Sequence, residues 1–145
     1  MIPLDIFGQN ATISGGWIYI LFSETKKLAE EETRLTIFEA QRIYRSYHHK
    51  INPSEEERFQ YLETLDFLIH ETKDPDYMVE LGAAYYEQRH FDLALKYYEM
   101  AAEYDHLYAI SNLGYIWYYG RTGERNYEKA FYYFDKARSM SDLIV

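Results

Sequence analysis

Apolar residues in this 145-residue chain recur mainly at helical spacing. Tyr77, Leu81, Ala84 and Tyr85 stand at i, i+4, i+7 and i+8, which is one face of a helix. Asp74 is placed as its N-cap, and Pro75 suits its first turn. After the turn Gln88-Arg89-His90-Phe91, the positions Leu93, Tyr97, Met100 and Ala101 predict a second helix capped by Asp92. A third helix is predicted from about Leu107 to Tyr119, closed by Gly120 in the left-handed position. Asn126 caps a fourth, which carries Ala130, Phe134 and Ala137. Upstream, Ser54-Glu55-Glu56-Glu57 reads as a capping box after Asn52-Pro53. It opens a helix through Phe59, Leu62, Leu65, Phe67, Leu68 and Ile69 to about Thr72. Leu35, Phe38, Ile43, Tyr44 and Tyr47 predict a helix over Thr33–His49, and Trp17–Glu31 a further one after Gly15-Gly16. Residues 1–16 are expected to form a loop or a short strand.

The second half of the chain repeats itself. Leu81-Gly82-Ala83-Ala84-Tyr85 recurs 32 residues later as Leu113-Gly114-Tyr115-Ile116-Trp117. The block Ala94–Ala101 recurs 36 residues later as Ala130–Ala137. The four-residue difference falls in Gly120–Asn126, a longer turn between two helices. A period in the mid-thirties marks a helix–turn–helix solenoid. Glycine inside a helix costs about 1 kcal/mol against alanine. Gly82 and Gly114 are therefore expected to let the second helix of each hairpin approach closely, opposite the small Ala94, Ala101, Ala130 and Ala137. The tyrosines and Phe134 are expected to fill the space between successive hairpins. In the middle region Leu62 and Ile69 stand where Ala94 and Ala101 stand later, so the hairpin 33–72 should be degenerate and more widely packed. The domain organisation expected is an unassigned segment over 1–32 and a helical repeat domain over 33–142, with units at 75–105 and 106–140.

Two of these units resemble the Sel-one-like repeat, a relative of the tetratricopeptide repeat. The better copy reads Ala109-x-x-x-Leu113-Gly114-x-x-Trp117-x-x-Gly120, then Asn126-x-x-Lys129-Ala130-x-x-Tyr133-Phe134-x-Lys136-Ala137. The earlier copy keeps Leu81-Gly82, Tyr85, Asp92, Ala94, Tyr97-Tyr98 and Ala101-Ala102, but has Tyr77 in place of the Ala and Gln88 in place of the Gly. The likeness covers residues about 75–142, roughly half the chain, and rests on packing residues. It implies an all-α fold, a right-handed α-α superhelix of stacked antiparallel hairpins. It also implies an adaptor or scaffold that holds partner segments on a concave face and does not itself catalyse. The alternative is an accessory or regulatory domain of an enzyme system whose catalytic part lies outside this chain.

Composition narrows the partners. The formal net charge is −9, with 8 Lys and Arg against 13 Asp and Glu in residues 1–74 and 7 against 11 in residues 75–145. Neither half is basic, which disfavours nucleic acid and favours a basic peptide or domain. With 27 aromatic residues the chain is not a solvated coil. There is no cysteine, hence no disulfide framework. The apolar run Trp17–Phe22 has six residues where a bilayer needs about 20, so no membrane span is expected. No Lys or Arg precedes it and no small-residue cleavage site follows it, so no secretory signal is expected either, and the location expected is cytoplasmic.

Thirteen of the 17 tyrosines lie between Tyr77 and Tyr133. Tyrosine offers large amphipathic contact area and is enriched at binding hot spots. With Leu113 and Trp117 turned to the hairpin partner, Tyr115, Tyr118 and Tyr119 are left for a groove, joined by Tyr86, Glu87 and Asn112. Leu81, Gly82, Tyr85, Ala94, Ala101, Leu113, Gly114, Trp117, Ala130, Phe134 and Ala137 are assigned to repeat packing. Asp76, Val79 and Ser111 occupy places where lysines would be needed to clasp a terminal carboxylate. His48-His49 are adjacent rather than three or four apart, and His70, His90 and His106 are isolated, so no metal ligand set is expected. Gly120–Gly123 lacks phosphate-loop spacing, and no nucleophile–base pair or cofactor site emerges. The last helix and Leu143-Ile144-Val145 leave a stacking face, which points to a longer array, a fold-back or a homodimer through the C-terminal end.

Overall fold

No glycine or proline interrupts residues 17–52, and the first helix runs unbroken for 34 residues. The structure, a computed structural model, describes residues 15–143. Of the loop or strand expected over 1–16, residues 1–14 lie outside the described residues, as do Ile144 and Val145, while Gly15 and Gly16 already belong to the first helix. Six helices occur among the described residues: α1 (Gly15–His48), α2 (Glu55–Thr72), α3 (Pro75–Glu87), α4 (Phe91–Ala102), α5 (Leu107–Tyr119) and α6 (Tyr127–Asp142). No described helix is long and apolar enough to cross a membrane. The two helices expected over 17–31 and 33–49 are thus one. Glu30-Glu31-Glu32-Thr33 is polar, but nothing in it breaks a helix.

The chain divides into two units at Phe38/Glu39. In the first, Ile20, Leu21, Phe22, Leu28 and Phe38 are exposed. Ser23, Thr25 and Thr36 turn their hydroxyls back onto carbonyls three or four residues earlier.

In the second unit local chemistry sets most helix ends. Ser54 Oγ accepts from the Glu57 amide while Glu57 Oε2 accepts from the Ser54 amide, a complete capping box. Asp74 accepts from the Asp76 amide with Pro75 behind it. Asn126 Oδ1 accepts from the Lys129 amide. Gly120 closes α5 at φ 61°. Asp92 is not a cap, however. His90 stands in that position without a side-chain bond, and Asp92 lies inside the first turn of α4. There its charge favours the helix N-terminus without satisfying an amide.

Helices α3 and α4 form one close pair and α5 and α6 another, with α4 packed on α5 and α2 on α3. The buried core holds Leu65, Ile69, Met78, Leu81, Ala94, Tyr98, Ala101, Ala109, Leu113 and Ile116. In each close pair a glycine faces a ring. A Cβ on Gly82 would lie 2.8 Å from Tyr98 Cε1, and one on Gly114 2.5 Å from Phe134 Cε1. Tyr98 and Phe134 therefore pack each within its own pair, where the space between successive pairs was expected. On α4 the expected Ala94 and Ala101 are buried together with Tyr98, whereas the expected Tyr97 and Met100 are half-buried against the core and Leu93 is exposed. The small residues decide this face, because α3 can approach only there. On α3 the fully buried residues are Met78, Leu81 and Gly82, with Tyr77, Ala84 and Tyr85 half-buried beside them.

The end of α1 stands off from α2 and meets its neighbours through rings. Tyr44 stacks on Tyr61 at 5.9 Å and meets the edge of Tyr77 at 5.2 Å. Burial and the nearby Glu80 push the Tyr44 hydroxyl up to about 12. Polar bonds also link the layers. Tyr97 donates to Asp66 at 3.3 Å, and His106 Nε2 lies 2.9 Å from Asp76 Oδ1.

Candidate functional site

Three helices bring their tyrosines to one place. Tyr86 at the end of α3, Tyr98 on α4, and Asn112, Tyr115 and Tyr119 on α5 line a cleft of about 160 Å³. Asn112, Tyr115 and Tyr119 are spaced three and four residues apart and share one stripe of α5. Tyr115 and Tyr119 are each 50% exposed and stack at 6.4 Å. Tyr115 also meets the edge of Phe134 at 5.1 Å, which fixes its ring from the α6 side. Tyr98 forms the floor, 3% exposed, and burial raises its hydroxyl to about 12. The cleft thus presents rings and phenol hydroxyls with Asn112 as an amide that both donates and accepts.

Four of the six residues proposed from the sequence line this cleft and two do not. Tyr118 does not line it; its ring meets the edge of Tyr119 at 5.1 Å and packs against Tyr127 at 5.5 Å and Phe134 at 6.4 Å. Its place, one position before Tyr119, rotates it about 100° around α5. Glu87 lines a second cavity, on another stripe of α3. Of the residues assigned to packing, Leu81, Gly82, Ala94, Ala101, Leu113, Gly114, Ala130 and Ala137 are buried, and Tyr85, Trp117 and Phe134 half-buried. Lys129 holds its ammonium 4.1 Å above the Trp117 ring.

Sequence reasoning missed Arg121. Its guanidinium carbon lies 5.1 Å from the Tyr119 ring, 5.6 Å from Phe91 and 5.9 Å from Tyr86, and its Nε donates to Tyr86 Oη at 3.0 Å. Arg121 follows Gly120, at the start of the longer turn that separates the two sequence repeats. The insertion itself was the available signal: a loop lengthened at a helix end beside aromatic residues can fold onto them. Arg121 thereby links that loop to Tyr86 at the end of α3 and to Tyr119, two residues of the cleft wall.

The second cavity is larger, about 510 Å³, and was also missed. It lies where the end of α1 and the first turns of α2 and the last turns of α3 meet, with Tyr47, Tyr61, Glu80 and Ala84 among its walls. Among the described residues no group of three or more His, Cys, Asp and Glu is placed to hold a metal ion. No protein-family model, no curated protein and no solved structure matches this chain.

Proposed function

We propose that the chain is a protein-interaction module of two tetratricopeptide-like, Sel-one-like units in a right-handed superhelix, which holds a segment of a partner protein against the Tyr86–Asn112–Tyr115–Tyr119 cleft. The convergence of these four residues from two helices on one partly open cleft carries this reading. Half-exposed tyrosines supply contact area with little rotamer entropy to lose, and Asn112 can pair with a partner's backbone. The net charge of −9 favours a basic partner segment. Phe131 and Tyr132 on α6, 60% and 63% exposed, support self-association through that helix as well.

The test is selection from a displayed random-peptide library on the immobilised full chain, followed by anisotropy titration of the selected peptides in solution. Truncating a hot-spot tyrosine costs about 2 kcal/mol, so Tyr115→Ala and Tyr119→Ala should each weaken binding about 30-fold. Equal affinity for wild type and both variants, with unchanged melting, would refute the cleft as the binding face. Affinity that collapses with salt and transfers to single-stranded RNA would refute the protein partner.

A further inference from the structure

The larger cavity owes its existence to the wide stance of α1 and α2. Bulky residues stand where the later pairs have alanine, and α1 meets its neighbours through stacked rings and a few side-chain hydrogen bonds, Tyr44 on Tyr61 and Gln41 to Tyr77 among them. On the α3 side Glu80, Ala83, Ala84 and Glu87 form one stripe, two carboxylates with a methyl floor between them. At 1.5 Å per residue the two glutamates stand about 10 Å apart along the helix. Tyr61 on α2 and Tyr47 on α1 add aromatic walls.

The charges of the lining do not cancel. Three carboxylates face two permanent cations, Lys50 and Arg58. Lys50 pairs with Glu57, and that contact, with the Ser54 amide, holds the Glu57 carboxyl below the usual range. Arg58 donates its Nε to the Pro53 carbonyl at 3.3 Å. Glu80 accepts from Tyr61 Oη at 3.3 Å and lies 3.5 Å from His48 Nδ1, so its carboxylate is oriented but lacks a permanent cation. Glu87 is exposed and has no ion partner among the described residues. One negative charge is left over in a cavity with a small apolar floor and aromatic walls.

We infer that this cavity receives an arginine side chain of the partner segment, its stem along Ala83 and Ala84 and its guanidinium between Glu80 and Glu87. Arginine suits the place better than lysine. Its planar fork pairs with two carboxylates at once, sheds water more readily and stacks on tyrosine. Such an occupant presupposes the peptide-binding function proposed above and adds a second grip, on a different stripe of α3 from Tyr86.

The test is amide NMR of the full chain, titrated with the capped peptide Ala-Ala-Arg-Ala-Ala and with its Lys and Glu counterparts. The Arg peptide should shift Glu80, Ala83, Ala84 and Glu87 saturably, bind several-fold tighter than the Lys peptide, and leave the Glu peptide without effect. Charge-assisted bonds to two carboxylates predict that Glu80→Gln/Glu87→Gln weakens the Arg peptide about tenfold or more. Glu87→Gln alone, at an exposed position, should weaken it several-fold and keeps the test intact should the double variant fold poorly. Shifts confined to Asn112, Tyr115 and Tyr119 would overturn the arginine pocket and leave the tyrosine cleft standing. Saturation by the Glu peptide, or unchanged affinity in Glu87→Gln, would also overturn the pocket, as would the absence of any shift at millimolar Arg peptide. Loss of library-selected peptides on Tyr115→Ala is read separately, so the two sites can fail independently.

Discussion

Replacing Gly82 by alanine sets two opposing effects against each other. In an open helix the change is stabilising by about 1 kcal/mol, because alanine loses less backbone freedom. Here the new Cβ would lie 2.8 Å and 2.9 Å from Tyr98 Cε1 and Cδ1, where ordinary carbon contacts start near 3.5 Å. The ring must retreat by more than half an ångström, and it has little room to do so. Tyr98 is 3% exposed and packs in one cluster with Leu81, Leu113 and Ile116. Overpacking of this kind costs about 1–3 kcal/mol, so the net effect is a loss of about 1 kcal/mol, or about 4 °C in Tm. Gly114→Ala creates a shorter approach, 2.5 Å to Phe134 Cε1, yet should cost less, because that ring is only half-buried and can swing outward. Urea unfolding followed by far-UV circular dichroism gives both values. In a Tyr98→Leu background the obstacle is gone, and Gly82→Ala should there become neutral or stabilising, a coupling of about 2 kcal/mol across the cycle. A stabilising Gly82→Ala in the wild-type background, or one of equal effect in both backgrounds, refutes the close approach of α4 to α3.

The buried tyrosines also make stability depend on alkaline pH. Tyr44, Tyr97 and Tyr98 are raised by burial to about 12 from an ordinary value of 10.0, so the folded state keeps them neutral while the unfolded chain ionises. The stability they provide is complete below about pH 10, falls as pH rises toward 12, and levels off above that. Urea midpoints across this range should fall less steeply in Tyr98→Phe, and an identical slope would contradict the burial argument. Arg121→Ala should loosen Gly120–Asn126 and the end of α3 at a cost of about 1 kcal/mol, since three ring contacts and one hydrogen bond go with it. Hydrogen exchange at Arg121–Arg125 should rise, and unchanged exchange would show that the loop needs no tether. Self-association through α6 predicts a dimer mass by light scattering and a monomer for Phe131→Glu, whereas a wild-type monomer at millimolar concentration removes that interface.

How much of this was legible in the sequence follows from the range over which each feature is decided. Asp74, Gly120, Asn126 and the Ser54–Glu57 box act on amides within a few residues, and all four are where their residue types place them. Asp92 failed by the same rule: a cap needs a non-helical backbone, and α4 had already begun at Phe91. Ala94 and Ala101 marked the seam of α4, but which tyrosine joins them was beyond periodicity, because Tyr97 and Tyr98 are chemically equal and a one-residue shift leaves the apolar spacing nearly intact. What breaks the tie is across the seam, in the missing side chain of Gly82, which admits a ring at one position only. Arg121 and the larger cavity lie further still from local rules. One depends on where an inserted loop lands, the other on a gap that opens because large residues stand where small ones would have let two helices close. A gap left by imperfect packing thus holds one carboxylate more than its permanent cations, and Glu80 and Glu87, which lack such a cation, are polar positions of α3 that no apolar pattern singles out.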